Sequence, residues 1–207
     1  MSGRPARSGV AAREADASGA LAAAVAVDMP DPSAMLPGRV DPPTADLVFS
    51  ILACDAGLDA AGTAVQGLRD AFVDLHEVRV ALPGEIADAA GCSLERAGTL
   101  RRALGAAYAS RHRVSIAGLL ERPARAGRPD LQDLLGVPRF VVDRVRLLHA
   151  DGRDVPIDDR LLAALKRAGV VGGDADAAAA AERALAGSGT DDPRLAYARV
   201  EGLAAAI

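Results

Sequence analysis

Tryptophan is absent from the chain, aromatic residues make up 2% of it, and lysine occurs once, at Lys166. A core without large rings has to be filled by Ala, Leu and Val, and side chains that small favour helices packed closely on one another. A single lysine leaves Schiff-base chemistry almost no candidates. Cysteine is nearly missing too. Cys54 and Cys92 show no Cys-x-x-Cys spacing and no flanking histidine, which excludes the usual zinc and iron–sulfur patterns and points to free thiols in a reducing compartment. His76, His112 and His149 stand alone, without His-x-x-x-His spacing or a neighbouring Ser or Cys, and no function is assigned to them. No metal or cofactor is expected. No apolar run approaches the roughly 20 residues that cross a bilayer, so a soluble protein is expected.

What is present is ample material for folding: 207 residues, 50% of them apolar, are enough for one generous domain or two small lobes. The net charge of -4 argues against nucleic-acid binding by bulk charge. Its distribution is uneven, however. Arginines 96, 101, 102, 111, 113, 122, 125 and 128 face one acid, Glu121, a local excess of +7 that can follow a phosphate backbone. An arginine run is also what a solvated helix face looks like, so the run needs support from elsewhere.

Residues 1–43 are rich in Ala, Gly, Ser and Pro, with five prolines between Met29 and Pro43, and read as a flexible leader. The apolar stretch Gly19 to Val27 follows Arg4, Arg7 and Arg13, but Glu14 and Asp16 interrupt the basic flank; a tail or a first helix is expected there rather than an export signal. Thr44 or Asp46 is expected to cap a helix to about Ala56, and Asp59 to start one whose Ala61, Ala64, Val65, Leu68, Ala71, Phe72 and Leu75 share a face. Pro83 opens a short helix to Ala90. Ser93 caps one to about Tyr108, with Leu94, Ala97, Leu104 and Tyr108 inward. The Gly/Pro stretch 123–129 is read as a lobe boundary. Beyond it Asp130 caps a helix to Leu135, Pro138 starts the next at its preferred first position and runs it to about Ala150, and Asp158 caps a third to Ala168. Asp174 opens an Ala-rich helix, and Thr190 to Pro193 start the last. Only Arg153 to Ile157 alternates at all like a strand, so an all-α fold is expected, with lobes at 44–122 and 130–207, the N-terminal segment being a candidate to join the second.

The most specific segment reads Leu-Leu-Gly-Val-Pro-Arg-Phe-Val-Val-Asp-Arg-Val-Arg-Leu-Leu from Leu134, then Val-Pro-Ile-Asp-Asp-Arg-Leu-Leu from Val155. This order of helix, Gly-centred hairpin, second helix and an aspartate after a Pro-aliphatic step resembles the helix-hairpin-helix DNA glycosylases related to endonuclease III, in which Leu-Pro-Gly-Val-Gly precedes Pro-Val-Asp-Thr-His. The resemblance covers about 40 residues and extends weakly upstream, where Leu47 to Leu52 is similar to the first helix of the central lobe and Glu95, Arg96, Ala97 and Leu100 to a Gln-Lys-Ala segment. It implies a two-lobed helical fold, a hairpin holding a phosphate through Gly136, Val137 and Arg139, and Asp158 as the catalytic carboxylate at the lobe junction. Arg144, Arg96, Arg101 and Lys166 are the further DNA contacts expected.

Five departures from the family pattern are visible. Pro138 stands where the hairpin's second glycine would donate an N–H. Phe140 stands where strand-cleaving members carry a lysine, which excludes the lyase reaction by that route. Cys54-Asp55 replaces the x-Gln of Leu-Ser-x-Gln, and Asp159-Arg160 replaces Thr-His; the four-cysteine cluster loop is absent. The reading is therefore a cluster-free, monofunctional base-excision N-glycosylase, monomeric and cytoplasmic, acting on double-stranded DNA with a damaged or mispaired base and making no membrane contact. The alternatives are a degenerate relative that only binds DNA or a partner protein, and an Ala-rich helical interaction protein whose hairpin is coincidental. Asp158 as a plain helix cap is the simplest competing role for that residue.

Overall fold

The computed structural model describes residues 19–121 and 130–207, and these are α-helical apart from turns, loops and one 3-10 turn at Pro32–Ala34. The Gly/Pro stretch read as a lobe boundary, with Arg122, Arg125 and Arg128, lies outside the described residues. Residues 153–157 form no strand; Val155, Pro156 and Ile157 are buried consecutively in a loop. No single helix among the described residues is long and apolar enough to cross a membrane.

The chain divides into two compact units between Gly152 and Arg153, with Pro30–Gly152 in one unit and Arg153–Ile207 in the other together with the described residues up to Met29. The hairpin helices therefore belong with the helices upstream of the 123–129 stretch, because the second of them packs against the first long helix of the chain.

That first helix, α1 (Pro42–Ala53), is the centre of the Pro30–Gly152 unit. Every residue from Thr44 to Ala53 is buried, as befits a helix covered on all sides. Its cap is Asp41, not Thr44 or Asp46: the Asp41 carboxylate accepts the Thr44 N–H at 3.2 Å, while Pro42 and Pro43 occupy the positions where a missing N–H costs nothing. The buried Thr44 hydroxyl in turn accepts the Ile116 N–H at 2.9 Å. Next come α2 (Leu58–Ala71) and α3 (Leu75–Val80). Sequence periodicity joins these two, but Asp74 and Glu77 cut the run: Asp74 accepts the Glu77 N–H at 2.9 Å and Glu77 accepts the Val73 N–H at 2.6 Å, a reciprocal pair that starts a fresh helix. Gly57, rather than Asp59, precedes α2.

The helix α4 (Pro83–Ala90) matches its expected bounds, and α5 (Leu94–Arg111) is capped by Ser93, whose hydroxyl accepts the Arg96 N–H at 3.2 Å. Leu94 faces solvent rather than the core, being 65% exposed, because it sits in the first turn just clear of the α4 contact. After the single turn α6 (Ala117–Leu120) come α7 (Leu131–Leu135) and α8 (Arg139–His149). Helix α1 packs on α2, α5, α6 and α8, while α4 bridges α2 and α5.

Gly67 of α2 explains how close α2 and α4 come, since a Cβ there would lie 2.0 Å from the Ala89 carbonyl oxygen, a backbone atom that cannot swing aside. Gly67→Ala gains about 1 kcal/mol of helix propensity but forces overpacking that costs about 1–3 kcal/mol or more. The clash is expected to win, lowering the urea midpoint of unfolding; a raised midpoint would show that the two helices slide apart freely.

The second unit contains α9 (Asp159–Arg167), α10 (Ala177–Gly187) and α11 (Pro193–Ala206), all in mutual contact. Their caps are Asp158, Asp176 and Asp192; Asp176 takes the place expected for Asp174. The supposed leader is partly built into both units. Leu21 is fully buried and the Val27 N–H donates to the Ala198 carbonyl at 3.2 Å, whereas Leu36 is buried in the other unit and Arg69 donates to the Ala34 carbonyl at 3.1 Å. Inside α9–α11, the buried Glu201 accepts from Arg160 and from the Tyr197 hydroxyl. Burial alone would lower the Arg160 pKa, but the Glu201 carboxylate outweighs it and raises it, so the guanidinium stays charged. Cys54 is buried and Cys92 half-buried, and burial pushes the Cys92 thiol up, away from reactivity.

Candidate functional site

The hairpin is built as its sequence suggests. Asp130 caps α7, accepting the Leu131 N–H at 2.6 Å, and ties α7 to α8 through Arg146 at 2.7 Å. Burial is the largest single influence on the Asp130 carboxyl and raises it, but the Leu131 N–H, Arg146 and Arg139 together outweigh it and hold the group below its ordinary value of 3.8. A depressed carboxylate stabilises the fold above its unfolded pKa and loses that contribution as pH falls, so this tie is intact at neutral pH and loosens only in acid. Being half exposed, it is worth a few tenths of a kcal/mol.

Gly136 ends α7 with φ +63°, and a Cβ there would meet nothing, so backbone geometry rather than space demands the glycine. The N–H groups of Gly136 and Val137 both turn back to the Gln132 carbonyl, at 2.8 and 3.4 Å, which commits them to closing the turn. Val137 is buried and Gly136 exposed. Pro138 is the residue before α8 rather than its first member, and no side chain caps α8, so the positive end of that helix is presented at the hairpin. Beside it the Arg139 side chain is 70% exposed and leans on Asp143 at 3.1 Å, an i,i+4 pair too solvated to hold it firmly.

Arg144 is a correction. Expected on the DNA side, it is fully buried: its Nη1 donates to Asp46 and to the Ser50 hydroxyl, each at 2.9 Å, and its guanidinium lies 5.1 Å from the Phe49 ring centre. The other Asp46 oxygen meets His149 Nε2. Asp46, Arg144 and His149 thus fasten α8, and with it the hairpin, to α1. Arg144 positions the hairpin and is not available to a phosphate.

Three segments far apart in sequence converge within the Pro30–Gly152 unit. A cavity of about 160 Å³ is lined by Ile51, Cys54 and Asp55 at the end of α1, by Ser93, Glu95, Arg96 and Thr99 at the start of α5, and by Pro138 of the hairpin. Arg96 reaches across it to donate to the Cys54 carbonyl at 2.6 Å, satisfying an end-of-helix acceptor. Asp55 is held at φ +58°, one of two non-glycine residues with positive φ among the described residues. That conformation costs an L-residue about 1–2 kcal/mol, and such strain tends to gather at functional positions. Arg101 is exposed one turn further along α5. The arginine run does not make a single stripe. Arg96 lines the cavity with Pro138, whereas Arg111 and Arg113 lie at the far end of α5, Arg111 donating to the Gly118 carbonyl.

Asp158 belongs to the other unit. Its side chain is nearly buried, with 6% of the residue exposed, and one oxygen accepts the Leu161 N–H at 2.8 Å, so the capping role is real. Lys166 is half-buried in the last turn of α9, where a cation suits the helix dipole. Compared with known families and with curated proteins, the chain matches no family model and no curated protein.

Proposed function

We propose that the protein is an endonuclease III-like DNA N-glycosylase of the monofunctional kind, which takes a damaged or mispaired base out of the duplex and hydrolyses its glycosidic bond. In that reaction the C1′–N bond breaks with its electron pair leaving on the base, water supplies the new bond to C1′, and its proton is released or passed to the base. The Asp158 carboxylate stabilises the positive charge that builds on the sugar or steers the attacking water. Strand cleavage through a Schiff base is not part of the proposal: Phe140, where a lysine would act, is buried against the core.

The observation that supports this reading best is the convergence of three segments far apart in sequence, 51–55, 93–99 and Pro138, on one cavity beside an exposed, Gly-turned hairpin. Two of them carry only the weak upstream part of the resemblance; of its main segments, from Leu134 and from Val155, the cavity takes in Pro138 alone. Asp55 and Glu95 put carboxylates in the cavity, which disfavours phosphate there; phosphate contact falls instead to Arg139 and the uncapped start of α8, with Arg101 further along.

Arg139→Gln is accordingly expected to weaken duplex binding without regard to sequence and to reduce the slope of log K against log salt by about 0.9; fluorescence anisotropy over a salt series reads this directly. An unchanged slope would remove Arg139 from the interface. The function itself is tested by base release from duplexes carrying uracil, oxidised pyrimidines, alkylated purines or mismatches, with abasic sites revealed by alkali. Release by the parent and not by Asp158→Asn is the expected result. Salt-sensitive binding without release on any duplex identifies a non-catalytic relative, and loss of both identifies a helical interaction protein.

A further inference from the structure

A second cavity, of about 620 Å³, opens in the Pro30–Gly152 unit and is lined among others by Arg39, Asp41, His76, His112, Arg113 and Ser115. Helices α1 and α5 both run from one cavity to the other. Pro42 lines this one and Cys54 the smaller; Ser93 lines the smaller and His112, the C-cap of α5, lines this one. At 1.5 Å per residue the two cavities lie about 18 Å apart along α1. The larger cavity is thus at the opposite end of the unit from the hairpin.

Its chemistry is unusual for a chain of net charge -4. Two guanidinium groups and two imidazoles converge on it, all four exposed, and among the described residues none of them forms an ion pair with a carboxylate. The one acid in the wall, Asp41, is engaged as the α1 cap by the Thr44 N–H and hydroxyl. A second, independent observation concerns His112. It is the other non-glycine residue with positive φ, +54°, at a helix C-cap where glycine is the undemanding choice. Its ring stands edge-on to Tyr108, 6.2 Å between centres, and His76 stands edge-on to the same ring at 5.8 Å, so one aromatic side chain braces both imidazoles at the cavity. The fold needs a left-handed residue there; it does not need an imidazole.

We propose that this cavity binds a small polyanion of the phosphate class, a diphosphate or phosphomonoester, with Arg39 and Arg113 supplying fixed charge and His76 and His112 supplying donors. Its volume lies in the range of small-molecule sites, about 300–1,000 Å³, and guanidinium forks match phosphate oxygens in geometry as well as charge. The position, remote from the hairpin, favours a free ligand over the DNA backbone.

The test is calorimetric titration of the full chain with inorganic pyrophosphate at low salt, with acetate at equal ionic strength as the control. Saturable binding of pyrophosphate but not acetate is expected, weakened about tenfold or more by Arg113→Gln, in line with loss of a charged contact, and by His112→Gly. Glycine relieves the left-handed backbone, so His112→Gly should melt no lower than the parent and should bind duplex DNA normally. No heat with about 1 mM pyrophosphate, or affinity indifferent to both substitutions, overturns the proposal. Competition between pyrophosphate and a short duplex overturns it as well, by making the cavity part of the DNA surface.

Discussion

Asp46→Ala is expected to destabilise the Pro30–Gly152 unit by about 3–5 kcal/mol, a large fraction of the roughly 5–15 kcal/mol that holds a domain together. The Arg144 guanidinium has no exposure to solvent, and the carboxylate that faces it at 2.9 Å is itself buried. Removing the acid leaves a charge that cannot be rehydrated without opening the α1–α8 contact, and it strips His149 of its partner as well. The Ser50 hydroxyl and the Phe49 ring stay in place against the guanidinium. The companion measurement is Asp46→Leu with Arg144→Met. Replacing both charges by apolar groups of similar length should recover most of the loss, because the pair is costly to break and cheap to replace as a whole. Urea denaturation of the three proteins decides it: a single substitution costing under about 1 kcal/mol would mean that water reaches Arg144 and that the pair is effectively a surface one. Duplex binding should fall in Asp46→Ala even where the protein remains folded, since the hairpin is carried on α8 and α8 is held by this pair.

That pair also marks where the sequence stops being readable. Caps are local chemistry, and Ser93, Asp130 and Asp158 are legible as caps because each stands three or fewer residues from the N–H it accepts. The Gly136 turn is legible for the same reason. Asp46 and Arg144 are 98 residues apart, and nothing in either neighbourhood distinguishes a buried partner from a cap or a phosphate contact. The stretch 123–129 has the composition of a linker, and α1 and α8, which stand on either side of it in sequence, pack on one another. The N-terminal segment, read as a leader with the option of joining the second lobe, packs on α11 through Val27. Its fit to α11 depends on Gly202, where a Cβ would lie 1.9 Å from the Val25 carbonyl oxygen, a close approach that one glycine in an Ala-rich helix only hints at. The two cavities collect residues from three or more segments each, and only the smaller was foreshadowed, because a resemblance, not a pattern, linked its pieces.

Asp158→Asn is expected to abolish base release, by about 10²–10⁴-fold, while leaving the fold nearly untouched. Asparagine caps a helix about as well as aspartate, so the bond to the Leu161 N–H survives; what is lost is the charge, worth about 0.3–1 kcal/mol against the α9 dipole. Asp158→Ala removes the cap as well and should cost about 1 kcal/mol more in stability. The two substitutions therefore separate the roles of one carboxylate. If Asp158 serves only as a cap, activity follows stability: the asparagine variant works like the parent and the alanine variant is impaired. If the charge acts on the sugar, both variants fail alike although their melting temperatures differ. The nearly complete burial of Asp158 sharpens the contrast, because a carboxylate withdrawn from water exerts a stronger field on a developing cation than one in solvent. Single-turnover base release on the best lesion duplex, set beside thermal unfolding of the same three proteins, gives both axes; equal activity in parent and Asp158→Asn would end the glycosylase assignment of this residue.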